Sequence, residues 1–177
     1  MISCMKKGNF FFRKELCAMK RIFAALFSVC LMGMALVGCS GSSANYNVSD
    51  VANSVAAVCN IQNPSDFTAD DLTFTVNLAS DLYEEFAGQY TTVNGQSGAV
   101  LVVKAASGKV DDVKAAMEAY RDGLVAQFET YKEDFPVGYE QNKQGRVVTK
   151  GDYAVLALAG ADVNYDDVDK AIDEALK

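Results

Sequence analysis

Several groups of residues in this chain have the type and spacing to do chemistry. Glu118 and Asp122 are two carboxylates one helical turn apart, an arrangement that could serve as acid and base. Asp162, Asn164 and Asp166 fall at positions 1, 3 and 5 of a calcium-loop register, with Asp173 at position 12. Tyr83, Phe86 and Tyr90 recur at steps of three and four and could present rings to a sugar. Cys59 offers a thiol, and Cys39 another at the end of a long apolar run. Each group also has a plainer explanation. An acidic chain makes carboxylate pairs by chance, and a solvated helix face accounts for Glu118 and Asp122. The calcium register fails at Asp167, where glycine is needed, and at Lys170 in position 9. Helix capping by Asn164 explains those residues more simply. No basic neighbour is evident to lower the Cys59 pKa, so a small buried hydrophobe is the expected role. A core stripe is the expected role of the three aromatics.

Composition removes whole classes of chemistry. The chain has no His, which excludes Ser-His-Asp and Cys-His catalysis and every His-based metal site. It has no Trp, so a strong sugar-stacking platform is disfavoured. No cofactor and no metal are expected.

The elements that must position these residues begin after an N-terminal segment. Lys20 and Arg21 precede the apolar run Ile22 to Val37, which is too short for the ~20 residues of a membrane-spanning helix. A basic start, a short apolar run and small residues at its end describe a secretory signal over 19–38. Residues 1–18 add further basic residues and Phe10-Phe11-Phe12 ahead of a signal that is already complete. Translation is therefore expected to start at Met19, with 1–18 an upstream extension. The end of the signal, Leu36-Val37-Gly38-Cys39, resembles the lipobox of bacterial lipoproteins at all four positions. The resemblance implies that a diacylglyceryl group is transferred to Cys39, that a peptidase cuts before it, and that fatty acids such as palmitate hold the chain in the membrane. Two acyl chains give stable anchoring where one gives only marginal binding.

The mature chain would then be 139 residues, Cys39 through Lys177, enough for one domain with a real core. Of 16 basic and 23 acidic residues, removing Lys6, Lys7, Arg13, Lys14, Lys20, Arg21 and Glu15 leaves 10 and 22, a net charge of −12. Such a domain is repelled by nucleic acid and by anionic lipid headgroups. Cys59 is the one cysteine left beside Cys39, so no internal disulfide is expected.

Residues 39–48 comprise Cys39 and a small polar tether, and 49–177 are expected to fold. Ser49 is expected to cap a first helix to Cys59, with Val51, Val55 and Cys59 on one stripe. Thr68 and Asp71 resemble a capping box with Phe67 and Leu72 as its staple, and 68–90 is expected to be mostly helical. Leu72, Phe74, Val76 and Leu78 nonetheless alternate as a strand would. A buried strand is expected over 99–105. A long helix is expected over 109–134, with Tyr120 and Phe128 buried on its stripe and Phe135-Pro136 as its stop. Strands 144–149 and 152–159 should form a hairpin in which Gly151 takes a positive φ. Asn164 should cap the last helix, with Val163 and Val168 as its staple.

This order of elements is similar to an uncharacterised family of small Gram-positive lipoproteins, known as a domain of unknown function. The likeness runs through Val102-Val103-Lys104-Ala105 and Gly151-Asp152-Tyr153-Ala154-Val155-Leu156 and covers most of 49–177. Where members often carry an acidic residue entering the first strand, this chain has Ser97-Gly98-Ala99. The resemblance implies architecture and address but no activity. The expected fold is α+β: an antiparallel sheet of about three strands against a long amphipathic helix, with further helices at both ends. The expected role is a membrane-anchored extracytoplasmic lipoprotein that binds a protein or small molecule without catalysis. Its partners would be the membrane, through the lipid on Cys39, and that unidentified ligand, but no nucleic acid. The alternatives are a solute-binding accessory of a transporter and an extracellular enzyme using carboxylates alone.

Overall fold

A computed structural model describes residues 44–177. The signal, the Leu36-Val37-Gly38-Cys39 motif and the upstream extension lie outside the described residues. The α+β expectation holds, but the sheet has five strands rather than three, all antiparallel. In chain order the elements are α1 (Val48–Cys59), β1 (Pro64–Asp66), α2 (Ala69–Phe74), β2 (Tyr83–Thr91) and β3 (Ala99–Ala105). They continue with α3 (Val110–Thr130), α4 (Pro136–Lys143), β4 (Arg146–Lys150), β5 (Tyr153–Leu158) and α5 (Tyr165–Ala175). The sheet order is β1-β2-β3-β5-β4.

The continuous apolar runs of β3 and β5 follow from cover on both faces. Val100, Val102, Val155 and Ala157 face a core made with α1 and α5. Leu101, Val103, Leu156 and Leu158 face a second core made with α3, α2 and the segment after α2. Alternate residues of one strand thus enter opposite cores, as the two-residue period of a strand requires. β2 and β4, which flank the central β3 and β5, are mostly only half-buried, and their sequences are correspondingly mixed.

The two missing strands are β1, where a turn was expected at Asn63-Pro64, and β2, which takes up the end of 68–90 where mostly helix was expected. The capping box is real: the Thr68 hydroxyl accepts from the Asp71 N–H, and the Asp71 carboxylate accepts from the Thr68 N–H. The Thr68 hydroxyl, which donates to the Asp71 carboxylate at 2.7 Å, and the Thr68 N–H hold that carboxyl below the usual carboxylate range. The helix they start lasts only from Ala69 to Phe74. Asn77 then takes a left-handed φ of 58°, and Val76 and Leu78 turn back into the second core. The alternation of Leu72, Phe74, Val76 and Leu78 is therefore a helix end followed by a loop, with Phe74 82% exposed.

Tyr83, Phe86 and Tyr90 lie on β2, not on a helix. Phe86 and Tyr90 share a face because they are four apart. Tyr83 should face the other way, but a bulge between Tyr83 and Glu85 returns it to the same face. A step of three followed by a step of four can thus arise on a bulged strand.

Smaller differences have equally local causes. Asn47 caps α1 in place of Ser49; its Oδ1 accepts from Ser49 N–H (2.9 Å) and Asp50 N–H (3.1 Å). Helix α3 ends at Thr130, and Pro136 opens α4 at its first turn, a position where a missing N–H costs nothing. The hairpin is as expected, with Gly151 at φ 58°. Asn164 caps α5 by accepting from Asp166 N–H at 3.0 Å.

Candidate functional site

The candidates read from the sequence are not brought together. Glu118 is paired with Lys114 at 3.8 Å and Asp122 with Arg121 at 2.8 Å, each by a cation of its own helix. Asn164 is engaged as a cap, and among the described residues no cluster of three or more His, Cys, Asp or Glu could hold a metal. Cys59 is fully buried in the first core, and burial pushes its thiol up to about 12. A thiol held protonated in this way is no nucleophile at neutral pH. Tyr83, Phe86 and Tyr90 are half-buried against the second core, with Tyr83 edge-on to Phe86 and Tyr90 tilted against Phe67.

Two polar features were not legible in the sequence. The first is a buried bridge between Ser97, just before β3, and Asn142 of α4, with Ser97 Oγ donating to Asn142 Oδ1 at 2.8 Å. The second is Tyr165 at the start of α5. Its hydroxyl accepts from the Ala159 N–H at 3.0 Å and donates to the Gln141 carbonyl at 2.6 Å. Arg146 lies over its ring at 4.7 Å and pairs with Asp169 at 2.8 Å. Burial pushes the Tyr165 hydroxyl up to about 12. Tyr165 therefore joins the end of β5, α4 and α5. Tyr165→Phe leaves an N–H and a C=O in this buried place without their partner, and is expected to cost about 1–3 kcal/mol. Chemical denaturation of the two proteins checks this; an unchanged midpoint would mean that water replaces the hydroxyl.

Three clefts among the described residues stand out. One, of about 390 Å³, lies where the described chain begins, between Ala44, Asn45, Glu84, Lys104, Asp152 and Tyr153. The Tyr153 hydroxyl accepts from the Tyr46 N–H at 3.1 Å and lies 3.1 Å from Asn45 Oδ1. The Tyr46 hydroxyl donates to the Leu176 carbonyl at 2.6 Å. The start of the domain is thereby tied to the end of the sheet formed by Lys104 and Tyr153. A second, of about 300 Å³, lies between Phe128, Tyr131 and Phe135 at the far end of α3. The third, also about 300 Å³, runs along the outer edge of β2. It is bounded by Phe86, Ala87 and Gly88, by Asn53 of α1, and by Asp66 and Phe67.

The outer edge of β2 is open because β1 is short. The nine residues of β2 pair with β1 only at Gln89, Tyr90 and Thr91. One further bond, from Phe67 N–H to the Gly88 carbonyl at 3.0 Å, extends the pairing before the chain leaves for α2. Glycine is needed at position 88, because a Cβ there would lie 2.1 Å from the Val100 carbonyl oxygen of β3.

Comparison with known proteins gives a family without a function. Residues 57–159 match the model of a domain of unknown function, DUF4358. The match covers more than half of the chain, which belongs to that family. It runs from the end of α1 through β5 and includes the whole sheet. No curated protein and no solved structure matches the chain.

Proposed function

We propose that this protein is an extracytoplasmic lipoprotein of a Gram-positive bacterium, anchored through Cys39, whose domain is a non-enzymatic interaction module. The observation that carries the anchor is Leu36-Val37-Gly38-Cys39 at the end of a basic-then-apolar signal. Among the described residues no helix is long and apolar enough to cross a membrane. Five peptide steps separate Cys39 from Ala44, a reach of at most ~18 Å. The interaction reading is supported by how the polar side chains are used. Asn47, Thr68 and Asn164 cap helices, and Glu118 and Asp122 are held by cations of their own helix. The open edge of β2 is, by contrast, unspent.

Cells expressing the full chain and fed labelled palmitate test the anchor. The wild-type chain is expected to take up label and sediment with membranes. Cys39→Ala is expected to lose the label and persist as unprocessed precursor. Label retained by Cys39→Ala would overturn the reading.

A further inference from the structure

The backbone of β2 determines what its open edge can bind. Thr91 N–H donates to the Gly98 carbonyl on the β3 side at 2.8 Å, whereas the Gly88 carbonyl accepts from Phe67 on the outer side. Odd-numbered residues of β2 above the bulge therefore turn their backbone groups towards β3, and even-numbered ones turn them outward. Phe86 is the next outward residue beyond Gly88. The chain that would pair with it has already turned away at Thr68 to begin α2. A donor and an acceptor in strand geometry thus face the cleft with no described strand beside them. Such a pair is met by another extended backbone more completely than by any side chain.

The walls narrow the choice of backbone. An incoming strand that continues the line of β1 presents alternate side chains to opposite walls. One set faces Ser49, Ala52 and Asn53 of α1, and the other faces Phe67 and Phe86. The cleft carries negative charge: Asp66 lines it, and Glu84 and Glu85 come next along β2, all three exposed. Glu84 is paired with Lys104 at 2.7 Å. Asp66 and Glu85 have no ion-pair partner among the described residues. A second copy of β2 would set Glu84 and Glu85 near the same acidic edge, and like charges on neighbouring strands repel. From these observations we infer that the open edge of β2 binds an extended, basic peptide segment of another protein as an added strand. The inference names the partner of the interaction module proposed above and rests on that reading for its setting. The anchor is tested by palmitate uptake, the edge by peptide binding, so that either can fail alone.

The test uses the isotope-labelled full chain in neutral detergent micelles. The probe is the blocked hexapeptide of alternating lysine and valine, and its counterpart carries glutamate in place of lysine. The lysine peptide is expected to slow hydrogen exchange at the Phe86 amide by about tenfold or more at saturation. The Ala87 amide, already bonded to β3, should keep its rate. The glutamate peptide is expected to bind at least about tenfold more weakly, and added salt should weaken the lysine peptide. Phe86→Pro removes the outward N–H without touching the β3 ladder and is expected to abolish binding, whereas Phe86→Ala, which keeps that N–H but trims the apolar wall, is expected to weaken binding without abolishing it. The exchange measurement on the unaltered chain stands whether or not that proline variant folds. The inference is overturned if both peptides bind equally, or if saturation leaves the Phe86 amide exchanging freely. It is also overturned if that amide becomes protected without peptide as protein concentration rises, since the edge then pairs with itself.

Discussion

Above pH 9 the domain is expected to lose stability steeply and to unfold before pH 12. The cause is three protons held in the folded state. Burial keeps Cys59, Tyr165 and Tyr120 protonated, each up to about 12. In the unfolded chain these groups ionise near their ordinary values of about 8.5 and 10. Between those values and 12 the unfolded state binds fewer protons than the folded one, so stability falls as pH rises. At about 1.4 kcal/mol per pH unit and group, the interval from pH 9 to 12 removes up to about 4 kcal/mol through Cys59, about 3 through Tyr165 and a smaller, solvent-screened share through the half-buried Tyr120. The sum approaches the ~5–15 kcal/mol of a whole domain. The full contribution is present below about pH 8.5, so neutral and mildly acidic solutions should show none of this loss. Circular dichroism against pH, with a thiol reagent added, checks both sides. Cys59 should react only as the fold is lost, and Cys59→Ala should lose less stability than wild type between pH 9 and 10. A melting temperature that stays flat to pH 11 would show that these groups are less sealed than the structure implies.

The parts of the fold that were legible in the sequence are those where one physical signal acted alone. β3 and β5 are covered on both faces, so their residues are uniformly apolar and read as strands. Gly151 and Asn164 occupy positions where the backbone needs their particular chemistry. The expectation of helix over 68–90 failed because signals overlapped. The Thr68–Asp71 box truthfully marks a helix start, but a box carries no information about helix length. The left-handed turn at Asn77 ended that helix, and nothing in residue spacing announces it. The bulge beside Glu84 gave strand β2 the spacing of a helix. β1 is three residues beginning with Pro64 and exists only because β2 is there to receive it. The open edge was invisible for the same reason: it is defined by where a neighbouring strand stops. Cys59 could be placed from the sequence because its stripe with Val51 and Val55 is purely local. The Ser97–Asn142 bridge joins residues far apart in the chain, and no local pattern encodes it.

Leu101→Ala is expected to be among the most damaging single substitutions, and Phe128→Ala much milder. Residue spacing alone puts both side chains in the core. Leu101 is fully buried at the middle of β3, in the second core with Leu72, Met117 and Leu156. Truncating it loses burial and leaves a cavity that a sheet flanked by strands on both sides cannot close, at about 2–5 kcal/mol. For a domain of this size that lowers the melting temperature by roughly 10 °C or more. Phe128 lies on the same helical stripe as the buried Val113 and Met117, but three turns further along. The 21 residues of α3 extend about 31 Å, whereas the six of β5 span only about 20 Å. The end of the helix therefore overhangs the sheet. Phe128 and Tyr120 are half-buried and Tyr131 is 53% exposed, where full burial of Tyr120 and Phe128 was expected. Phe128 packs edge-on to Phe135 at 6.5 Å and against Gly138 of α4 instead of against strands. Its truncation to Ala should cost about 1–2 kcal/mol, below the ~3–5 kcal/mol of a fully buried aromatic. Thermal melts of the two variants decide the matter. Equal losses would mean that the aromatic end of α3 belongs to the core after all, and that the cleft beside Tyr131 is closed in solution.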